Sequence, residues 1–174
     1  MRRDFLRMLQ RKVAISALPA SALRGQGHKG LTKSAREYLA EVNLEPFGIS
    51  NTRRFRARLD RKTKDLIRHL PARARRWGVA RKALNLFLRD CFYNHYLRRR
   101  FKLERAEHCL EIPLDQIVAS GLQSRLANSL PSWPGVKHLT PDISAAYQDA
   151  AKRVAHKQRL SRVDLDVYLW TERT

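Results

Sequence analysis

One stretch limits the fold more than any other. Between residues 79 and 98, Ala83, Leu84, Phe87, Leu88, Cys91 and Phe92 recur at helical spacing over a wide apolar face. A helix that apolar must be buried, so the chain needs other helices around it. The flanking segments supply them. Asn51 or Thr52 caps a predicted helix towards Leu70, with Phe55, Leu59, Leu66, Ile67 and Leu70 at helical intervals, and Pro71 ends it. Thr32-Lys33-Ser34-Ala35-Arg36-Glu37 reads as an earlier helix start, with Thr32 or Ser34 as cap. Pro46, Phe47 and Gly48 close that element. Further helices are predicted from Asp115 to Leu126, from Pro141 to about Ala155, and from Val163 to Trp170. No strand alternation or internal repeat is present. The expected class is all-α.

The chain of 174 residues suits one domain. Residues 1–30 carry seven Lys/Arg and only Asp4 as an acid, then a Gly-rich run from Gly25 to Gly30. They read as a basic, flexible N-terminal arm, mobile or partly helical, with a joint before a single helical domain over 31–174. A transit peptide has a similar composition and is the weaker reading, since no cleavage signal is evident.

Charge speaks to partners. Lys+Arg number 36 against 16 Asp+Glu, a formal net charge of +20. Residues 52–105 alone hold nineteen Lys/Arg and four Asp/Glu, so the excess is lopsided rather than dispersed. A polyanion, most simply nucleic acid, is the expected partner. No apolar run reaches membrane-spanning length, so no membrane partner is expected. Two cysteines, Cys91 and Cys109, are too few for a four-thiolate cluster or an all-cysteine zinc site. The six histidines have no metal-ligand spacing, so neither metal nor other cofactor is expected. A cytoplasmic monomer, nucleoid-associated in a bacterium, fits this composition.

The stretch with chemical content is Arg75-Arg76-Trp77-Gly78-Val79-Ala80-Arg81-Lys82. Small, apolar, small residues directly before a helix suggest a tight turn with outward N–H groups. Such groups bind phosphate without reading bases, and Arg75, Arg76 and Arg81 would add charge. Gly78-Val79-Ala80-Arg81-Lys82 resembles the hairpin of the helix-hairpin-helix DNA glycosylases, the endonuclease III superfamily, with Ala80 in place of the second Gly. Asn85 also falls where endonuclease III-like sequences commonly carry Asn. Glu111-Ile112-Pro113-Leu114-Asp115 resembles the segment bearing that superfamily's catalytic Asp. Asp166 and Trp170, one turn apart, resemble the base-binding pair on the last helix of the archaeal 8-oxoguanine glycosylase branch. The resemblance spans residues 66–170, and the 33-residue separation of Lys82 and Asp115 is similar to that branch. The family often stacks the flipped base on an aromatic one turn past the lysine, where this chain has Leu86 beside Phe87.

What the resemblance implies is specific. The fold would be two helical halves flanking a cleft, with Lys82 and Asp115 facing across it. Lys82 would be the nucleophile and Asp115 the catalytic carboxylate. Asp166 and Trp170 would line the base pocket, and Arg75 to Arg81 would contact duplex DNA. The reaction would be base excision from a flipped nucleotide, with Schiff-base lyase activity. Arg81 and its neighbours would favour the neutral Lys82 amine. Oxidised purine is the substrate the family suggests; an enzymatically modified base, as in phage DNA, is the alternative.

Each residue has a simpler reading. Lys82 alone is a phosphate contact, and Asp115 alone is an N-cap after Pro113. Asp166 and Trp170 alone are a surface acid and a packing aromatic. Trp77 and Trp133 read as packing residues before they read as wedges in a base stack. Two rival functions also remain. Arg89 and His95 match the loose Arg…His pattern of HEPN ribonucleases, although six residues apart they would not share one face of an ideal helix. A non-catalytic nucleic-acid-binding protein is the third reading, with salt-dependent binding and no product.

Overall fold

A computed structural model describes residues 3–26, 28–126 and 129–172. Arg2 and Gly27, part of the expected arm and joint, lie outside them. Among the described residues the chain is all helical, as the periodicity requires. In order, the α-helices are α1 (Arg3–Ala17), α2 (Leu31–Ala40), α3 (Thr52–His69), α4 (Trp77–Tyr93), α5 (His95–Phe101), α6 (Gln116–Arg125), α7 (Pro141–Lys157) and α8 (Leu165–Thr171). None is long and apolar enough to cross a membrane.

Helix α4 is the hub, and its apolar residues are almost all buried. One hydrophobic cluster gathers α1 to α5 and includes Leu18, Leu39, Phe55, Leu84 and Phe87. A second gathers α6, α7 and α8 around Leu122, Tyr147, Leu165 and Leu169. Trp133 packs against both, edge-on to Tyr147 at 5.2 Å. It is a packing residue, not a free wedge.

Several helix ends follow their capping residues. The Asn51 side chain accepts from Arg54 N at 2.9 Å and starts α3. The Thr140 hydroxyl accepts from Ile143 N and starts α7. Elsewhere the expected boundaries move. The predicted helix over 79–98 is two helices, because the Asn94 side chain accepts from Tyr96 N and Leu97 N and opens α5. Helix α2 starts from Gly30, held at φ 90°, rather than from Thr32 or Ser34.

Two expectations need correction. The first concerns residues 1–30. Helix α1 buries Val13, Ala14 and Ala17, and the following turns bury Leu18 and Leu23. The Arg36 guanidinium clamps Leu18 O from α2. This segment is therefore part of the core, not an arm hinged at residue 30. Its positive charge hid an amphipathic helix whose apolar stripe faces α2 and α4.

The second concerns Gly78, Val79 and Ala80. They do not form an outward-facing turn. They lie in the first turn of α4, and all three are buried. The reversal itself occurs just before, through a 3-10 turn at Ala72–Ala74. Gly78 is required here by close approach: an added Cβ would collide with the Val136 carbonyl oxygen and sit 2.7 Å from Leu139 Cβ. Gly78→Ala is expected to force α4 off residues 136–139 and cost about 1–3 kcal/mol. Urea denaturation would register this as a lower midpoint; an unchanged midpoint would contradict the packing.

Candidate functional site

Adjacent residues of α4 point in different directions, about 100° apart. Arg81 faces α3 and Lys82 faces a cavity of about 650 Å³. That divergence organises the site.

The Arg81 side chain is 3% exposed. Its Nε and Nη2 each donate to Glu111 at 2.8 Å, and Nη1 donates to Asp60 at 2.8 Å and Thr63 at 3.1 Å. Asn85 adds a bond to Glu111 at 3.1 Å. Burial pushes Glu111 up, but the Arg81 pair, the Arg162 charge and the Asn85 bond outweigh it and hold the carboxyl below its ordinary value. Burial disfavours the Arg81 charge as well, yet Glu111 and Asp60 keep it raised. Arg81 is thus a structural cation and not the phosphate contact expected of it. Its charge is neutralised by carboxylates. Arg75 is also tied down, donating to Leu70 O and Arg68 O at the end of α3. Arg76 is exposed at the start of α4. Trp77 packs under the second cluster with the Arg81 guanidinium 5.3 Å from its ring centre, so it is no wedge either.

Across the cavity, Asp115 opens α6. Its Oδ1 accepts from Ile117 N and Val118 N, both at 3.0 Å. That cap fixes the carboxylate and leaves Oδ2 to accept from Lys82 Nζ at 3.3 Å. The N-cap reading and the pairing with Lys82 therefore both hold, one oxygen each. The extended segment before Asp115 is anchored to α7, where Gln148 accepts from Ile112 N and donates to Ile112 O. Lys82 and Asp115 have side-chain exposures of 11% and 16%, so the pair is shielded but reachable.

Asp166 and Trp170 line the same cavity from α8. The Asp166 residue is 2% exposed and accepts a hydrogen bond from Arg89 Nη1. Burial raises its carboxyl from 3.8 to about 6, with Asp115 adding to the rise and Arg89 and Lys82 opposing it. Across that window the native chain holds a proton that the unfolded chain has released. Stability from this group therefore falls as pH rises from 3.8 to about 6 and levels off above. Asp166→Asn is expected to flatten the pH dependence of Tm over this window. The same slope in the variant would assign the titration to another group. Trp170 is 48% exposed and offers an open aromatic face.

The cavity wall also contains residues that sequence reasoning missed in this role: Arg89, Asp90 and Tyr93 on α4, Ser16 in α1 and Ser21 just after it. The signal for α4 was present. Lys82, Leu86, Arg89 and Tyr93 stand at i, i+4, i+7 and i+11, one helical face. Leu86 lines the cavity where an aromatic was sought, and Phe87 is in the core. Tyr93 donates to Asp164 Oδ1 at 2.9 Å; burial and that carboxylate push its phenol up. No sequence signal indicated the α1 segment. Arg89 and His95 are not brought together in this cavity: Arg89 is committed to Asp90 and Asp166, and His95 lies at the start of α5 outside the lining. Among the described residues, no group of three or more His, Cys, Asp or Glu is placed to hold a metal ion.

Set side by side, these groups can hold an amine next to a carboxylate and present a donor, an acceptor and an aromatic face to one guest. No family model, curated protein or solved structure matches this chain.

Proposed function

We propose that this chain is a DNA glycosylase of the helix-hairpin-helix kind, excising a damaged or modified base from duplex DNA with associated lyase activity. The observation that carries the reading is the Lys82 Nζ–Asp115 Oδ2 pair at 3.3 Å, in a cavity that Asp166 and Trp170 also line. The four residues singled out by sequence come from two helices, α4 and α8, and the α6 cap, and all four line one cavity. The cavity draws its walls from helices of both hydrophobic clusters, which supports a cleft between two helical halves.

The chemistry follows from the groups. A flipped nucleotide enters the cavity, its base against Trp170 and its polar edge towards Asp166 and Arg89. Asp115 opposes the positive charge that builds on the sugar. The Lys82 amine, having given a proton to water, attacks C1′. The bond from C1′ to the base breaks, and the base leaves with the electron pair and takes up a proton. Opening of the C1′–O4′ bond then gives the imine between Lys82 and C1′. Loss of a C2′ proton expels the 3′ phosphate and nicks the strand. Exposed Arg53, Arg54, Arg61 and Arg68 on α3 and Arg76 at α4 supply phosphate contacts.

Borohydride trapping on labelled duplexes tests this. The panel carries an abasic site, 8-oxoguanine, uracil, alkylated bases and hydroxymethylcytosine derivatives. A covalent adduct with one or more of them is expected. Absence of both adduct and base release across the panel would overturn the reading.

A further inference from the structure

On the Arg81 side of α4, away from Lys82, lies a second recess of about 410 Å³. Arg56 and Lys64 reach it from α3, Lys152 from α7, and Arg162 from the turn before α8. Three carboxylates also line it: Asp60, Glu111 and Asp149. The first two are already engaged by Arg81. With Arg81 counted, five Lys/Arg side chains face three carboxylates, an excess of two positive charges.

Arg162 is the informative group. Its Nε donates to Leu110 O and its Nη2 to Cys109 O, both at 2.9 Å. Those carbonyls fix the guanidinium without neutralising it. Among the described residues, no carboxylate lies within ion-pair distance of Arg162 and its Nη1 has no hydrogen-bond partner. Burial depresses its pKa, the charges of Glu111 and Asp149 offset this only in part, and Arg56 depresses it further. Shielded charges in proteins are normally paired, because an unpaired one keeps its desolvation cost. A cation fixed by carbonyls, with free N–H groups and more cations around it, is therefore a site short of one anion.

We infer that this recess binds a phosphate group, with Arg162 at its floor and Arg56, Lys64 and Lys152 at its rim. The volume accommodates a small phosphate-bearing ligand. Guanidinium and ammonium groups converging from three segments suit the several oxygens of one phosphate. Such a group can come from a free anion or from the backbone of bound DNA. The site does not depend on Lys82 chemistry, so Lys82→Gln leaves it intact.

Calorimetric titration of the full chain with pyrophosphate, alongside duplex binding at several salt concentrations, tests the inference. Wild type is expected to bind pyrophosphate at one site, and Lys152→Gln and Arg56→Gln each to weaken it about tenfold. Unchanged duplex affinity in these variants would assign the site to a free anion. Weaker duplex binding, a salt slope shallower by about one and displacement of duplex by pyrophosphate would assign it to a backbone phosphate. Arg162→Gln extends the test to the floor once circular dichroism shows that it folds; the two rim variants carry the test in any case. Arg99→Gln, an exposed cation on α5 outside the recess, should leave pyrophosphate binding unchanged. No pyrophosphate binding by wild type, equal binding by all variants, or an equal loss in Arg99→Gln overturns the site.

Discussion

Lys82→Gln is expected to give a folded chain that still binds duplex DNA yet forms no borohydride-trapped adduct. The amide is not a nucleophile at C1′, so the imine cannot form. Folding should survive. Asp115 keeps both backbone N–H partners, and the loss of one partly shielded bond costs about 1–2 kcal/mol. Strand nicking should disappear with the adduct. Asp115→Asn should differ in kind. It keeps an N-capping oxygen but loses the charge proposed to oppose the sugar cation, so base release should slow by about a hundredfold or more. Single-turnover base release and trapping, run together, separate the two. A full-strength adduct from Lys82→Gln would remove this lysine from the mechanism and leave the cavity without its proposed nucleophile.

The second large effect is on stability. Arg81→Met is expected to destabilise the chain by about 3–5 kcal/mol, because it strands the Glu111 carboxylate in the interior. Glu111 is 9% exposed and, among the described residues, its oxygens have no other cation at bonding distance. Urea denaturation would show a large fall in midpoint. A companion variant, Arg81→Met with Glu111→Leu, should recover much of the loss, since neither charge is then buried alone. Where Arg81→Met remains folded, its duplex binding should keep the wild-type salt slope, because this guanidinium touches carboxylates rather than phosphate. A small change in midpoint, or a clearly shallower salt slope, would return Arg81 to the phosphate-contact role expected from its sequence neighbourhood.

These two variants alter neighbours in the chain and are expected to damage different properties. That contrast shows where sequence reading works. The apolar period of α4 was legible because burial of a helix face leaves a repeat that any window detects. Asn51, Pro71 and Pro141 were legible as punctuation because capping and proline effects are local. The break at Asn94 was also local, but the apolar run continues through Leu97 and masked it.

The N-terminal thirty residues show the opposite case. Charge suggested an arm, whereas Val13, Ala14, Ala17 and Leu18 bury a stripe that required knowing where α2 and α4 lie. Arg81 and Glu111 are thirty residues apart, and nothing local to either marks them as partners. The same holds for Arg162, whose carbonyl partners lie more than fifty residues back.

From the sequence alone follow the expectation of an all-helical chain, a buried α4 and a strong positive excess, and from the family resemblance the four candidate residues Lys82, Asp115, Asp166 and Trp170. Each depends on periodicity, composition or a short motif, which are properties of neighbours along the chain. Tertiary structure alone decided that Asp115 divides its oxygens between a cap and Lys82, that α1 belongs to the core, and that Arg81 is neutralised while Arg162 is not. Those outcomes depend on distances between segments far apart in sequence, where packing geometry sets which charges meet and how much water they lose.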